Sequence, residues 1–136
     1  MTRFDLTFTG DLRFGAGRVD EVAGVVGGWG VRRALVVTGA NPARAGGLCD
    51  ALREGGVECG TFSVAGEPTV ELVRRGVEVA RTEGFGAVLG VGGGSPLDAA
   101  KAIAALAVSG SDPLDHLEVV GAGRPLTQPG LPFVAV

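Results

Sequence analysis

Gly90-Val91-Gly92-Gly93-Gly94-Ser95-Pro96-Leu97-Asp98 follows a short apolar run, residues 87–91, and leads into a second apolar stretch, residues 97–108. The first run reads as a strand covered on both faces and the second as a helix. Between them, glycine permits positive φ and lets a ligand approach the backbone with no Cβ in the way. A helix start adds unpaired N–H groups and the positive end of the helix dipole. The combination predicts an anion site, most naturally for a diphosphate. Ser95 is expected as the N-cap, Pro96 at the first helical position, and Asp98 as the capping-box partner three residues on. Lys101 shares a helix face with Asp98. The rest of that helix is apolar almost all round, so it is expected to be buried, with Lys101 snorkelling or paired. Asp98 and Lys101 then either face a ligand cleft or form a structural pair.

Working outward, the same alternation repeats. Residues 34–38 (ALVVT) and 57–64 read as strands, and 133–136 closes the chain with another apolar run. Helices are expected over residues 18–26, from Asn41-Pro42 to Arg53, and over 69–82, where Val70, Val73, Val77 and Ala80 share a face. Phe4, Leu6 and Phe8 alternate with polar residues, and Leu12 to Phe14 follows across Gly10-Asp11, which predicts an N-terminal β-hairpin. Strand–helix–strand units of about 25 residues give an α/β fold: a Rossmann-like parallel sheet with helices on both faces, right-handed at each crossover. Ligands are then expected at the carboxyl ends of the strands. By this count the glycines follow the fourth or fifth strand. The usual dinucleotide fingerprint follows the first, so the generic motif alone is a weak match.

Composition sets the outer limits. The chain has 136 residues, 46% hydrophobic and 20% charged, with a net charge of -3. That composition argues against a disordered chain and against a basic nucleic-acid binder. No apolar stretch approaches the roughly 20 residues that span a bilayer. The first ten residues lack the apolar core of a signal peptide. Glycine accounts for 25 of the residues, and Lys101 is the single lysine beside eleven arginines. Cys49 and Cys59 have no second Cys or His at metal-binding spacing, and are read as two buried thiols of a cytoplasmic protein.

The longer string Gly92-Gly93-Gly94-Ser95-Pro96-Leu97-Asp98-Ala99-Ala100-Lys101-Ala102-Ile103-Ala104 resembles the GGGSxxDxAKAIA signature of iron-containing (group III) alcohol dehydrogenases. Glycerol dehydrogenases and dehydroquinate synthases share the GGG…D part. The Ser-Pro and the AKAIA tail resemble the alcohol dehydrogenase branch. Phe14-Gly15-Ala16-Gly17, residues 34–38, Gly66-Glu67-Pro68-Thr69-Val70 and residues 131–136 resemble further segments in family order, so the resemblance covers essentially the whole chain. It implies hydride transfer between an alcohol or aldehyde and NAD or NADP, assisted by a divalent metal, iron or zinc. It implies cofactor contacts at Gly39, Glu67, Gly93, Gly94, Ser95, Asp98 and Lys101. Gly93, Gly94 and Ser95 would hold the pyrophosphate, and Asp98 would lie near the ribose or nicotinamide.

Three departures from the family pattern matter. NAD-specific members often carry Asp after the second strand, where this chain has Gly39. The missing acid removes a barrier to a 2′-phosphate, so NADP is favoured, with Arg44 as its weak partner. Glu67 stands where many members carry Asn. The family's metal is held by one Asp and three His in a second, helical domain, and here His116 is alone. Residues 1–136 are therefore expected to be an incomplete N-terminal dinucleotide-binding domain without the metal-binding domain. Alone, it should bind nucleotide weakly or not at all and show no turnover. Other readings stay open: a maleylacetate reductase or polyol dehydrogenase, a non-catalytic nucleotide-binding module, or a doubly wound domain for another phosphate. A homo-oligomer paired through the first hairpin or through residues 133–136 is open as well.

Overall fold

The computed structural model describes residues 10–136. After a 3-10 turn, Arg18–Glu21, the elements are α1 (Val22–Gly28), β1 (Arg33–Thr38), α2 (Gly46–Glu54), β2 (Glu58–Ser63), α3 (Val70–Thr82), β3 (Ala87–Val91), α4 (Gly94–Ala107), α5 (Pro113–His116) and β4 (Phe133–Ala135). The strands form one parallel sheet in the order β2-β1-β3-β4. The α/β reading with a parallel sheet holds.

The first strand of the expected hairpin lies outside the described residues. Its second half does not form: residues 11–14 have irregular backbone, with Leu12 71% and Phe14 94% exposed. Two or three apolar side chains left exposed cannot offset the entropy of ordering them. The glycine turn accordingly follows the third strand of the described residues, not the fourth or fifth.

β1 is central, and Ala34, Leu35, Val36 and Val37 are all fully buried. Successive side chains point to opposite faces. Leu35 and Val37 join Val88, Val73, Val77, Ala100 and Ile103 in one core, beneath α3 and α4. Ala34 and Val36 join Leu89, Val26, Leu48 and Leu52 in a second core, beneath α1 and α2. This is the two-sided cover that right-handed crossovers impose when the chain reverses direction after β2. Each fully buried Leu, Ile or Val contributes about 1.5–3 kcal/mol before entropy is counted.

The helix boundaries follow local chemistry. Asn41 accepts from the Ala43 N–H at 3.1 Å and opens a 3-10 turn, Pro42–Ala45, ahead of α2. Thr69 caps α3 by accepting from the Leu72 N–H at 3.1 Å. At the far end, Arg81 donates to the Ala107 carbonyl at 2.8 Å, supplying a cation and a donor to the α4 carboxyl terminus. No helix of the described residues is long and apolar enough to cross a membrane.

Candidate functional site

β1 and β3 are neighbours, yet the chain leaves β1 toward β2 and leaves β3 toward β4. Their carboxyl ends therefore bound the crevice where strand order reverses, the usual ligand position of such sheets. Thr38 and Val91 are register partners at that edge. Gly39 and Gly92 begin the two loops side by side, and the crossover from β2 brings Glu67 to Ser95 at the same edge.

The glycines of the turn have different causes. At Gly90 a Cβ would lie 3.0 Å from Ala100 Cβ and 3.2 Å from Leu97 Cα, so close packing of α4 on β3 excludes a side chain. Gly92 has φ +129, a backbone conformation that L side chains rarely adopt. Gly93 and Gly94 are under neither constraint. Gly93 has φ -81 and ψ -164, and an added Cβ at either position would meet nothing within 4 Å. Both are exposed, as is Gly92. Nothing inside the chain demands glycine there, and what its absence of side chain provides is an open approach to the backbone. The N–H groups of Gly93, Gly94 and Ser95 have no acceptor among the described residues. That follows from their place at the helix start.

Several sequence expectations shift at this point. The N-cap of α4 is Gly93, which makes no side-chain cap, and the helix starts at Gly94. Ser95 is thus inside the first turn, and Asp98 closes no capping box. Pro96 sits at the third position, where its missing N–H still costs nothing. Ser95 Oγ instead donates to Glu67 Oε1 at 3.3 Å. α4 buries Pro96, Ala99, Ala100, Ile103, Ala104, Leu106 and Ala107, but it is not buried all round. Asp98 and Lys101 lie on its solvent stripe, 67% and 68% exposed, as a pair 3.9 Å apart. Gly94 is on the same stripe one turn before Asp98 and two before Lys101, so Asp98 flanks the open helix start. At such exposure the pair contributes little to stability.

On the β1 side, Thr38 is buried and its Oγ1 donates to the Gly39 carbonyl at 3.1 Å. Gly39 has open space where a Cβ would stand. Arg44 is exposed in the 3-10 turn that follows and has no ion-pair partner among the described residues. The structure thus brings Gly39, Glu67, Gly93, Gly94, Ser95 and Asp98 to one end of the sheet, with Lys101 one turn along α4. The Glu67–Ser95 contact has no signature in the sequence, because it joins two loops through the crossover.

A profile of iron-containing alcohol dehydrogenases matches residues 9–136. The chain belongs to the iron-containing alcohol dehydrogenase family. It is 34% identical over 126 residues to long-chain-alcohol dehydrogenase 1 of Geobacillus thermodenitrificans, covering 90% of this chain and 32% of that one. The NADH-dependent butanol dehydrogenase A of Thermotoga maritima superposes with a TM-score of 0.76 at 30% identity, over 99% of this chain and 34% of that one. The fold is also shared with sulfoacetaldehyde reductase from Bifidobacterium kashiwanohense in complex with NAD+, at a TM-score of 0.81 and 23% identity. The chain spans about a third of the length of these iron-containing alcohol dehydrogenase relatives.

The family's metal does not fit the residues present. Among the described residues no three His, Cys, Asp or Glu side chains converge. Both nitrogens of His116 are engaged, Nε2 with Ser111 Oγ at 2.8 Å and Nδ1 with the Arg124 carbonyl at 2.8 Å. His116 closes the loop after α5, on the other end of α4 from the glycine turn.

Proposed function

We propose that this chain binds the diphosphate of a nicotinamide dinucleotide at the start of α4, as the cofactor-binding portion of a metal-dependent alcohol dehydrogenase acting in the cytoplasm on a small alcohol or aldehyde. The observation that carries this reading is the set of free N–H groups at Gly93, Gly94 and Ser95, beside two glycines that neither packing nor backbone geometry requires. They stand at the strand-order reversal of a chain that belongs to this family.

When bound, the dinucleotide supplies the hydride acceptor or donor. The chain's own part is binding and orientation. The Gly93, Gly94 and Ser95 amides and the helix dipole hold the diphosphate. The Ser95 hydroxyl turns from Glu67 toward a phosphate oxygen. Asp98 and Lys101 border the cofactor on the exposed stripe. Gly39 leaves room for a 2′-phosphate, with Arg44 as its cation, so the reading includes NADP.

The test is a titration of the isotopically labelled chain with NADPH and NADH, read at the backbone amides. The reading expects shifts centred on Gly39 and on residues 92–95, with NADPH at least as tight as NADH. Tenfold tighter NADH would sink the NADP preference. Shifts confined to other residues would sink the binding assignment.

A further inference from the structure

The two cysteines stand apart from the nucleotide reading and face each other. Cys49 lies in the middle of α2 and is 3% exposed, while Cys59, near the start of β2, is half-buried. Of the two buried thiols that the sequence suggests, only Cys49 is buried. Their Sγ atoms are 2.7 Å apart, against about 2.05 Å in a disulfide. The chain between them is already turned back on itself: the Val57 N–H donates to the Leu52 carbonyl at 2.9 Å and the Gly56 N–H to the Arg53 carbonyl at 2.9 Å. Cys49 packs in the core beneath α1 and α2, with Cys59 against it, on the sheet face away from α4.

We propose that Cys49 and Cys59 form a modification site that closes to an intramolecular disulfide when a small organic disulfide is offered. Cys59 is the more exposed and attacks first, as its thiolate. It forms a mixed disulfide and expels one thiolate of the reagent. Cys49 then attacks the Cys59 sulfur and expels the second. Two protein thiols are oxidised, one reagent disulfide is reduced to two thiols, and the two cysteine protons pass to the departing thiolates. Burial, and then the neighbouring Cys49, push the Cys59 thiol up to about 12. The pair is therefore slow to react at neutral pH, and closure accelerates as pH rises toward that value.

The experiment incubates the full chain with hydroxyethyl disulfide between pH 7 and 9. Intact mass and alkylation of the remaining thiols in denaturant are then read. The expected product has lost two hydrogens, carries no adduct, labels at neither cysteine, resists denaturant better than the reduced chain, and reverts with dithiothreitol. Cys49→Ala, or Cys49→Ser should the first fold poorly, is expected to retain one adduct on Cys59, since the resolving thiol is gone. A wild-type chain that keeps the adduct, joins to a second chain, or still labels at both cysteines overturns the proposal.

Discussion

Ser95, in the first turn of α4, donates its hydroxyl hydrogen to the carboxylate of Glu67 across 3.3 Å, so an acid of the β2–α3 loop already stands at the helix end that attracts anions. A diphosphate entering there meets a like charge. Glu67→Gln is expected to tighten ADP and dinucleotide binding about three- to tenfold while leaving adenosine unchanged, since only the charged part of the ligand senses the carboxylate. Amide-shift titrations of both proteins check it. Weaker ADP binding in the variant would instead mark Glu67 as a direct ligand contact.

Gly94 separates binding from folding. Its Cβ space is empty and its backbone is helical. Gly94→Ala should keep the stability of the parent or add up to about 1 kcal/mol through helix propensity. The same methyl stands over the amides that the dinucleotide needs, so the ligand-induced shifts should fall at least tenfold. Urea melts and the titration are read together, and a marked loss of stability would refute the argument.

Gly76 is a packing glycine between α3 and α4, where an added Cβ would run into Ile103 Cδ1. Gly76→Ala should cost about 1–3 kcal/mol by overpacking. The added Cβ would meet both Cδ1 and Cγ1 of Ile103, and Ile103→Ala removes both atoms, so the same substitution should cost less in that background. A double-mutant cycle on denaturation midpoints measures the difference. Equal costs in both backgrounds would mean that Ile103 is not the obstacle.

Gly39→Asp should restore the charge that disfavours a 2′-phosphate. The expected result is at least tenfold weaker NADPH binding with NADH unchanged or tighter. Parallel loss of both ligands would show that the loop after β1 does not face the adenosine ribose.

Asp112 gives the pH prediction. The Arg74 guanidinium, bonded to it at 2.6 and 3.0 Å, and then the Leu114 N–H hold its carboxyl below the ordinary 3.8. A depressed pKa means the pairing stabilises the fold at all pH values above the ordinary range, and that this contribution is lost as pH falls toward the lowered value. Asp112→Asn keeps an N-cap for α5 but loses the pairing. Its stability should therefore differ from the parent at neutral pH and converge on it in acid. A constant difference across the acid limb would show that the pairing contributes nothing.

β1, β3 and α3 were legible in the sequence because burial on both faces leaves an unbroken apolar run, and Thr69 announces a helix with its own hydroxyl. The start of α4 was not. Three glycines carry no side chain to mark a cap, so Ser95 is the first polar opportunity in the sequence, although the backbone turns two residues earlier at Gly93. The apolar sequence of α4 also hid a solvent stripe: alanines at 102 and 105 are small enough to lie at the surface beside Asp98 and Lys101. Leu12 to Phe14 shows the converse, an alternating pattern whose apolar side chains stay exposed. The site glycines were legible as a group. That Gly90 and Gly92 serve the fold while Gly93 and Gly94 do not could be read only from coordinates.

Gly90 also acts as a steric lock on strand alignment. Both faces of β3 are apolar, so sliding it by one residue would expose no polar group and bury none, and polarity alone cannot tell the two alignments apart. Volume can. The slip would carry Leu89 or Val91 into the slot facing Ala100 and Leu97, where even a methyl stands 3.0 Å from its neighbours. The missing side chain at Gly90 thus keeps β3 in step with β1, and so keeps Val91 level with Thr38 at the edge where the crevice opens.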